Sequence, residues 1–181
     1  MKLLIASDIH GSAYYLKQLL DQFEAQQADK LVLLGDVLYF GPRNDFPQGY
    51  DPKECIQLLR AYQSRILAVR GNCDSEVDQM VLGMPILADY VMLLLNSKTV
   101  LATHGHLAAY MDFANLPNVD IHLSGHTHIP VLKQEEGIYQ LNPGSISLPK
   151  NGHIPTYGIL QETSFELFDL AGNLLDAIQF Q

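Results

Sequence analysis

Five of the seven histidines in the 181-residue sequence follow short apolar runs, in company with Asp, Asn and Gly. Leu3–Ala6 leads into Asp8-Ile9-His10-Gly11, Leu31–Leu34 into Gly35-Asp36, and Ile66–Val69 into Gly71-Asn72-Cys73-Asp74. Thr99–Thr103 leads into His104-Gly105-His106, and Val119–Leu123 into Gly125-His126-Thr127-His128. Seven scattered histidines would give about 0.3 His-x-His pairs by chance, whereas the sequence has two, both behind strand-like runs. Imidazole, carboxylate and carboxamide are hard-to-borderline N and O donors, suited to Mn²⁺, Zn²⁺ or Fe. The donors outnumber those one tetrahedral ion uses. The natural reading is two divalent ions, about 3.5–4 Å apart, clamping the attacking and leaving oxygens of an in-line displacement.

These donors need a scaffold that brings five chain segments to one edge. Leu16, Leu19, Leu20 and Phe23 form the stripe of an amphipathic helix capped by Ser12. Asp51-Pro52-Lys53-Glu54 starts a second helix, with Cys55, Leu58, Leu59 and Tyr62 as its buried stripe. Between these two helices Tyr39–Pro52 reads as a long loop broken by Gly and Pro. The first half is thus β-α-β-α-β with parallel pairing. The second half is strand-rich. Val91–Leu95 with Thr99–Thr103, and Val131–Gln134 with Ile138–Leu141, read as hairpins, and Thr156–Leu160, Phe165–Leu170 and Leu174–Phe180 follow. The expectation is one α/β domain over residues 1–181, two mixed β-sheets packed as a sandwich with flanking helices. Ligands bind at the C-terminal ends of strands in such sheets. Phe165–Leu170 and Leu174–Phe180 are expected to present an edge to a second copy of the chain.

Composition narrows the partners. With 11 Lys+Arg against 20 Asp+Glu the formal net charge is −9, which disfavours stable nucleic-acid or anionic-membrane binding. Apolar residues make up 48% and charged residues 17%, which disfavours disorder. Two Cys make no disulfide framework, and no apolar run approaches a membrane span. Asp8 interrupts any signal-peptide core, so a cytoplasmic setting is expected.

Taken in order, Asp-x-His, Gly-Asp, Gly-Asn, a strand-end His and Gly-His-x-His resemble the calcineurin-like metallophosphoesterases. The wording Ser-Asp-Ile-His-Gly, Gly-Pro-Arg-Asn, Val-Arg-Gly-Asn-Cys-Asp-Ser-Glu-Val-Asp-Gln-Met, Thr-His-Gly-His and Asn-Pro-Gly-Ser is similar to their small bacterial YfcE-type phosphodiesterase branch. The resemblance runs over residues 2–160 and implies the αββα metallophosphoesterase fold. It implies one ion on Asp8, His10, Asp36 and His128, and another on Asp36, Asn72, His104 and His126, with Asp36 bridging. A hydroxide between the ions would attack phosphorus. Mn²⁺ is the foremost candidate, with Zn²⁺, Fe, Ni²⁺ and Mg²⁺ as alternatives.

Cys73 departs from the pattern, since many relatives carry His there to protonate the leaving group or bind phosphate. A thiol is a poor substitute at neutral pH. The candidate catalytic residues are therefore His106, Cys73 and Asp74, with His106 equally readable as support for a ligand. Arg43, Asn44 and Asn72 are the candidate substrate-phosphate residues, Arg offering a bidentate fork. The expected activity is hydrolysis of small phosphate diesters. A phosphomonoesterase or nucleotidase on the same site is the alternative. A non-catalytic interaction module is the third reading, and it predicts gaps among the ligands that the sequence does not show.

Overall fold

β1 (Leu3–Ala6), β2 (Lys30–Leu33) and β3 (Ile66–Ala68) pair in parallel, with Leu3 opposite Lys30 and Leu31 opposite Ile66. Their continuous apolar runs have a simple cause: the sheet is covered on both faces. Leu4, Ala6, Leu31 and Leu33 pack under helices, while Leu3, Ile5 and Val32 alternate onto the other face against a second sheet. The computed structural model describes residues 1–108 and 118–181.

The helices over this sheet are α1 (Ala13–Ala25), α2 (Pro52–Arg60) and α3 (Glu76–Leu82). Ser12 and Asp51 cap the first two by accepting from the backbone N–H of Tyr15 and Glu54. Buried Leu16, Leu19, Leu20 and Phe23 form the inner face of α1, and Cys55 and Leu59 that of α2. α3 was not anticipated, although its signals are local. Ser75 and Asp78 make a reciprocal capping box, and Gly83 ends the helix at φ 69°. All three helices cover the same face of the first sheet.

The second half supplies β4 (Tyr90–Leu95), β5 (Lys98–Thr103), β6 (Ile121–Leu123), β7 (Pro130–Glu135), β8 (Ile138–Pro143), β9 (Thr156–Leu160), β10 (Ser164–Asp169) and β11 (Leu174–Gln179). The first sheet runs β11-β10-β9-β1-β2-β3, and the second β4-β5-β6-β8-β7. Both are mixed. β9 is antiparallel to β1, while β5, β6 and β8 are mutually parallel. Val100, Ala102, Ile121, Leu123, Tyr139 and Leu141 complete the layer between the sheets. The sandwich therefore matches the expected architecture. One expectation needs correction: Phe165–Leu170 is no edge, because β10 is hydrogen-bonded on both sides by β9 and β11. β11 alone is the free margin there, with Leu174 and Leu175 exposed.

Candidate metal centre

The parallel strands β1, β2 and β3, and likewise β5 and β6, deliver their following residues to a common edge. Bonds between these loops lock them together. Asp8 N–H donates to the Gly35 carbonyl at 3.1 Å, His10 N–H to that of Asp36 at 2.9 Å, and Gly125 N–H to that of His104 at 2.9 Å. The backbone bends sharply here. Asp8, His10, Asp36, His126 and His128 all have φ between 49° and 66°, in the left-handed region that costs an L-residue about 1–2 kcal/mol. Concentration of such strain in five candidate ligands marks a functional site.

Three imidazoles are fixed the same way. His10 Nδ1–H donates to the Tyr39 carbonyl at 2.8 Å, His104 Nδ1–H to Leu34 at 2.5 Å, and His128 Nδ1–H to Leu148 at 2.6 Å. This leaves each Nε2 lone pair pointing inward. His10 Nε2 lies 3.3 Å from His128 Nε2, and His128 Nε2 lies 3.2 Å from Asp8 Oδ1. His104 Nε2 lies 3.2 Å from Asn72 Oδ1 and 3.5 Å from Asp36 Oδ2, which is itself 3.7 Å from His10 Nε2.

The carboxylates repeat this division of labour. Asp8 Oδ2 accepts from Ser7 Oγ at 2.6 Å and from His126 N–H at 3.0 Å, while its buried Oδ1 has no hydrogen-bond partner. Asp36 Oδ1 accepts from Cys73 N–H at 2.8 Å, and Oδ2 is left facing His10 and His104. Acceptors facing acceptors across 3.2–3.7 Å repel unless a cation lies among them, so the donor set fits divalent metal.

Asp8, His10 and His128 place donor atoms within 4.8 Å of one another, as do Asp8, Asp36 and His104. Asn72 joins through Oδ1. The ring of His126 lies 5.0 Å from that of His104, centroid to centroid, outside those donor clusters among the described residues. A third cluster brings the Cys73 thiol to His10 and Asp36.

Burial pushes the Asp8 carboxyl upward, but the imidazoles of His10, His128 and His104, when they carry a proton in place of a metal, outweigh it and hold the group well below the usual carboxylate range. His126 and His106 are depressed by burial and by neighbouring imidazoles, which favours the neutral form. Burial, then Asp36, pushes the Cys73 thiol up to about 12.

The structure gives the other candidates different places. Asp74 Oδ2 accepts from the N–H of Asp36 at 2.9 Å and of Gly71 at 2.8 Å, and Oδ1 from that of Val37 at 2.9 Å. This carboxylate staples the loops after β2 and β3. His106 packs beside His104, at 5.3 Å between ring centroids, and lies outside the cavity over the site. That cavity, about 700 Å³, is lined by Asp36, Asn72, His126 and His128 and by Tyr39, Arg43, Asn44, Cys73, Asp74 and Lys150 among others. Asn44 Nδ2 also donates to the Phe40 carbonyl at 2.7 Å, so it shapes the loop that presents Arg43.

The Asn-Pro-Gly-Ser turn and two glycines support the ligand-bearing loops. In the Asn-Pro-Gly-Ser turn, Asn142 Nδ2 donates to the Gly125 carbonyl at 2.8 Å, and Ser145 and Ser147 both donate to the Asp8 carbonyl at 2.9 Å. Gly71 has no room for a side chain, since a Cβ would strike the Asp36 carboxylate, and a Cβ on Gly125 would strike Ser7 Oγ.

The model of the calcineurin-like phosphoesterase superfamily domain matches residues 1–164. The chain belongs to that superfamily. As a calcineurin-like phosphoesterase it is a metal-dependent phosphoester hydrolase. It is 46% identical to phosphodiesterase YfcE of Escherichia coli K12 over 160 residues, covering 88% of this chain and 87% of that protein. The solved structure of the YfcE phosphoesterase from E. coli superposes with a TM-score of 0.91 at 42% identity over 98% of each chain. Vps29 of Entamoeba histolytica in complex with Zn²⁺ shares the fold, with a TM-score of 0.68 at 22% identity over 100% of both chains.

Proposed function

We propose that residues 1–181 form one catalytic domain that hydrolyses small phosphate diesters with two divalent ions, Mn²⁺ foremost. Asp8, His10, Asp36 and His128 would hold one ion, and Asp36, Asn72, His104 and His126 the other. The carrying observation is the convergence of three Nε2 lone pairs, Asp8 Oδ1, Asp36 Oδ2 and Asn72 Oδ1, each group anchored through its other heteroatom or, for Asp8, its other oxygen. When bound, such ions make hydroxide available near neutral pH and offset charge on the phosphoryl oxygens.

The chain's own groups do the rest. Arg43 lines the cavity as a charged fork open to anionic groups of the substrate, and Asn44 holds its loop. Asp74 is a positioning residue for Asp36 and Gly71. His106 supports His104 from behind the cavity. The Cys73 thiol is a weak acid, so the site favours diesters whose leaving group departs without a proton. The similarity to phosphodiesterase YfcE supports the same choice of diester over monoester. The two free cysteines and the net charge of −9 fit a cytoplasmic protein acting on small esters. No helix among the described residues is long and apolar enough to cross a membrane. The β11 margin is the place where two copies would pair.

The test is hydrolysis of bis-p-nitrophenyl phosphate by chelator-stripped protein with and without Mn²⁺, beside the p-nitrophenyl monoester. Diester turnover that appears only with Mn²⁺ and vanishes in Asp36→Ala is expected. Faster monoester turnover would move the function to a phosphatase, and unchanged turnover in Asp36→Ala would overturn the metal assignment.

A further inference from the structure

Eight of the eleven Lys and Arg side chains have a carboxylate or carbonyl partner, as in Lys17–Glu54, Arg65–Glu24, Arg70–Asp89 and the bond from Arg60 to the Val81 carbonyl. Arg43, Lys53 and Lys150 have none among the described residues, and two of these three line the cavity over the metal centre. In a chain of net charge −9, partners for both were available in abundance. They reach the cavity from separate loops, Arg43 after β2 and Lys150 after β8.

Lys150 is set firmly in place. Its backbone N–H donates to the His128 carbonyl at 3.2 Å, its carbonyl accepts from His153 N–H at 3.1 Å, and His128 Nδ1–H donates to Leu148 two residues earlier. The lysine is thereby tied to a residue of the metal centre while its ammonium group stays free. A simple diester carries one negative charge, which the proposed ions already meet. Two further free cations call for a second anionic group on the substrate.

The leaving group points the same way. Apart from the proposed ligands, no imidazole among the described residues lines the cavity, because His106 lies outside it, and both oxygens of Asp74 are occupied by backbone N–H groups. A leaving group that needs no proton suits such a site.

We propose that the substrates are diphosphate diesters, in which Arg43 and Lys150 hold the second phosphoryl group while the first is attacked. This rests on the diesterase reading above. Water oxygen forms the new bond to one phosphorus, and the bond from that phosphorus to the bridging oxygen breaks. The departing phosphate monoester keeps the electron pair and is a stable anion at neutral pH; one water proton passes to solvent and the other stays on the newly bonded oxygen, to ionise as any phosphate monoester does. Two phosphate monoesters result. Lys150 is a specificity residue, not a proton donor.

The probe is diadenosine 5′,5′-diphosphate, assayed with Mn²⁺-loaded protein for release of adenosine monophosphate, beside bis-p-nitrophenyl phosphate. Both are expected to turn over. Lys150→Ala and Arg43→Ala should each lower kcat/KM about tenfold further for the diphosphate than for the nitrophenyl ester, chiefly through KM, and Lys150→Arg should recover most of the loss. Calorimetric binding of the non-hydrolysable methylene-bridged analogue should weaken in the same order, a readout that does not depend on turnover. Turnover of the nitrophenyl ester with none of the diphosphate, or equal losses on both in the variants, would overturn the diphosphate proposal and leave the diesterase reading standing. Failure on both esters by Mn²⁺-loaded protein would remove the two together.

Discussion

Asp74→Asn separates a positioning role from a chemical one. In the native protein the carboxylate accepts three backbone N–H bonds at 2.8–2.9 Å, two on Oδ2 and one on Oδ1. The carboxamide keeps its best geometry with oxygen in the Oδ2 place. Its NH₂ then faces the Val37 N–H, donor against donor. One bond to a charged acceptor is lost, a buried donor is left unmet and the two surviving bonds lose their charge. At about 1.5–3 kcal/mol for a bond to a charged group and 1–3 kcal/mol for an unmet donor, the cost is about 2.5–6 kcal/mol. In a domain of this size that lowers Tm by about 5–24 °C. Because Asp36 hangs from the same staple, Mn²⁺ affinity should fall by about 10–100-fold as well. The assays are thermal denaturation of the stripped protein and equilibrium dialysis against Mn²⁺. A variant with unaltered Tm and metal affinity but reduced kcat would refute this reasoning and return Asp74 to the chemistry itself.

Gly71→Ala should lower Mn²⁺ affinity more than Tm, because the added methyl meets the Asp36 carboxylate and backbone N–H; titration calorimetry on the folded variant checks it. Ser12→Ala removes both the α1 cap and the bond to the Gln48 carbonyl at 2.6 Å, at a cost of about 1–2 kcal/mol in urea denaturation. Burial pushes the Cys55 thiol up to about 12, above its value in the unfolded chain, so its contribution is intact below about pH 8.5 and declines as pH rises toward 12. Cys55→Ala should therefore show a shallower alkaline loss of stability, by up to about 1.4 kcal/mol per pH unit.

Much of the scaffold was legible because its cues are local. The stripe from Leu16 to Phe23, the caps Ser12 and Asp51, and the apolar runs ending in Asp or His each report on a few neighbouring residues. α3 carried equally local cues in Ser75, Asp78 and Gly83 and was overlooked beside the Gly-Asn-Cys-Asp motif. The residues that could not be read are those defined by tertiary pairing. Nothing local tells that β9 turns back against β1, which makes β10 an interior strand. The bonding of Asp74 to Asp36 and Val37 spans 38 and 37 residues, and that of Ser145 to Asp8 spans 137. Lys150 likewise gains its place only through the His128 carbonyl. Donor types were visible in the sequence. Their division into an anchored atom and an inward-facing atom was not.

The most direct measurement is metal stoichiometry on chelator-stripped protein reloaded with excess Mn²⁺ and analysed by elemental mass spectrometry, wild type beside Asp36→Ala. Two ions per chain in the wild type and one or none in the variant are expected if Asp36 Oδ2 bridges. A wild-type protein that retains a single ion, or an Asp36→Ala protein that still holds two, would contradict the two-metal centre.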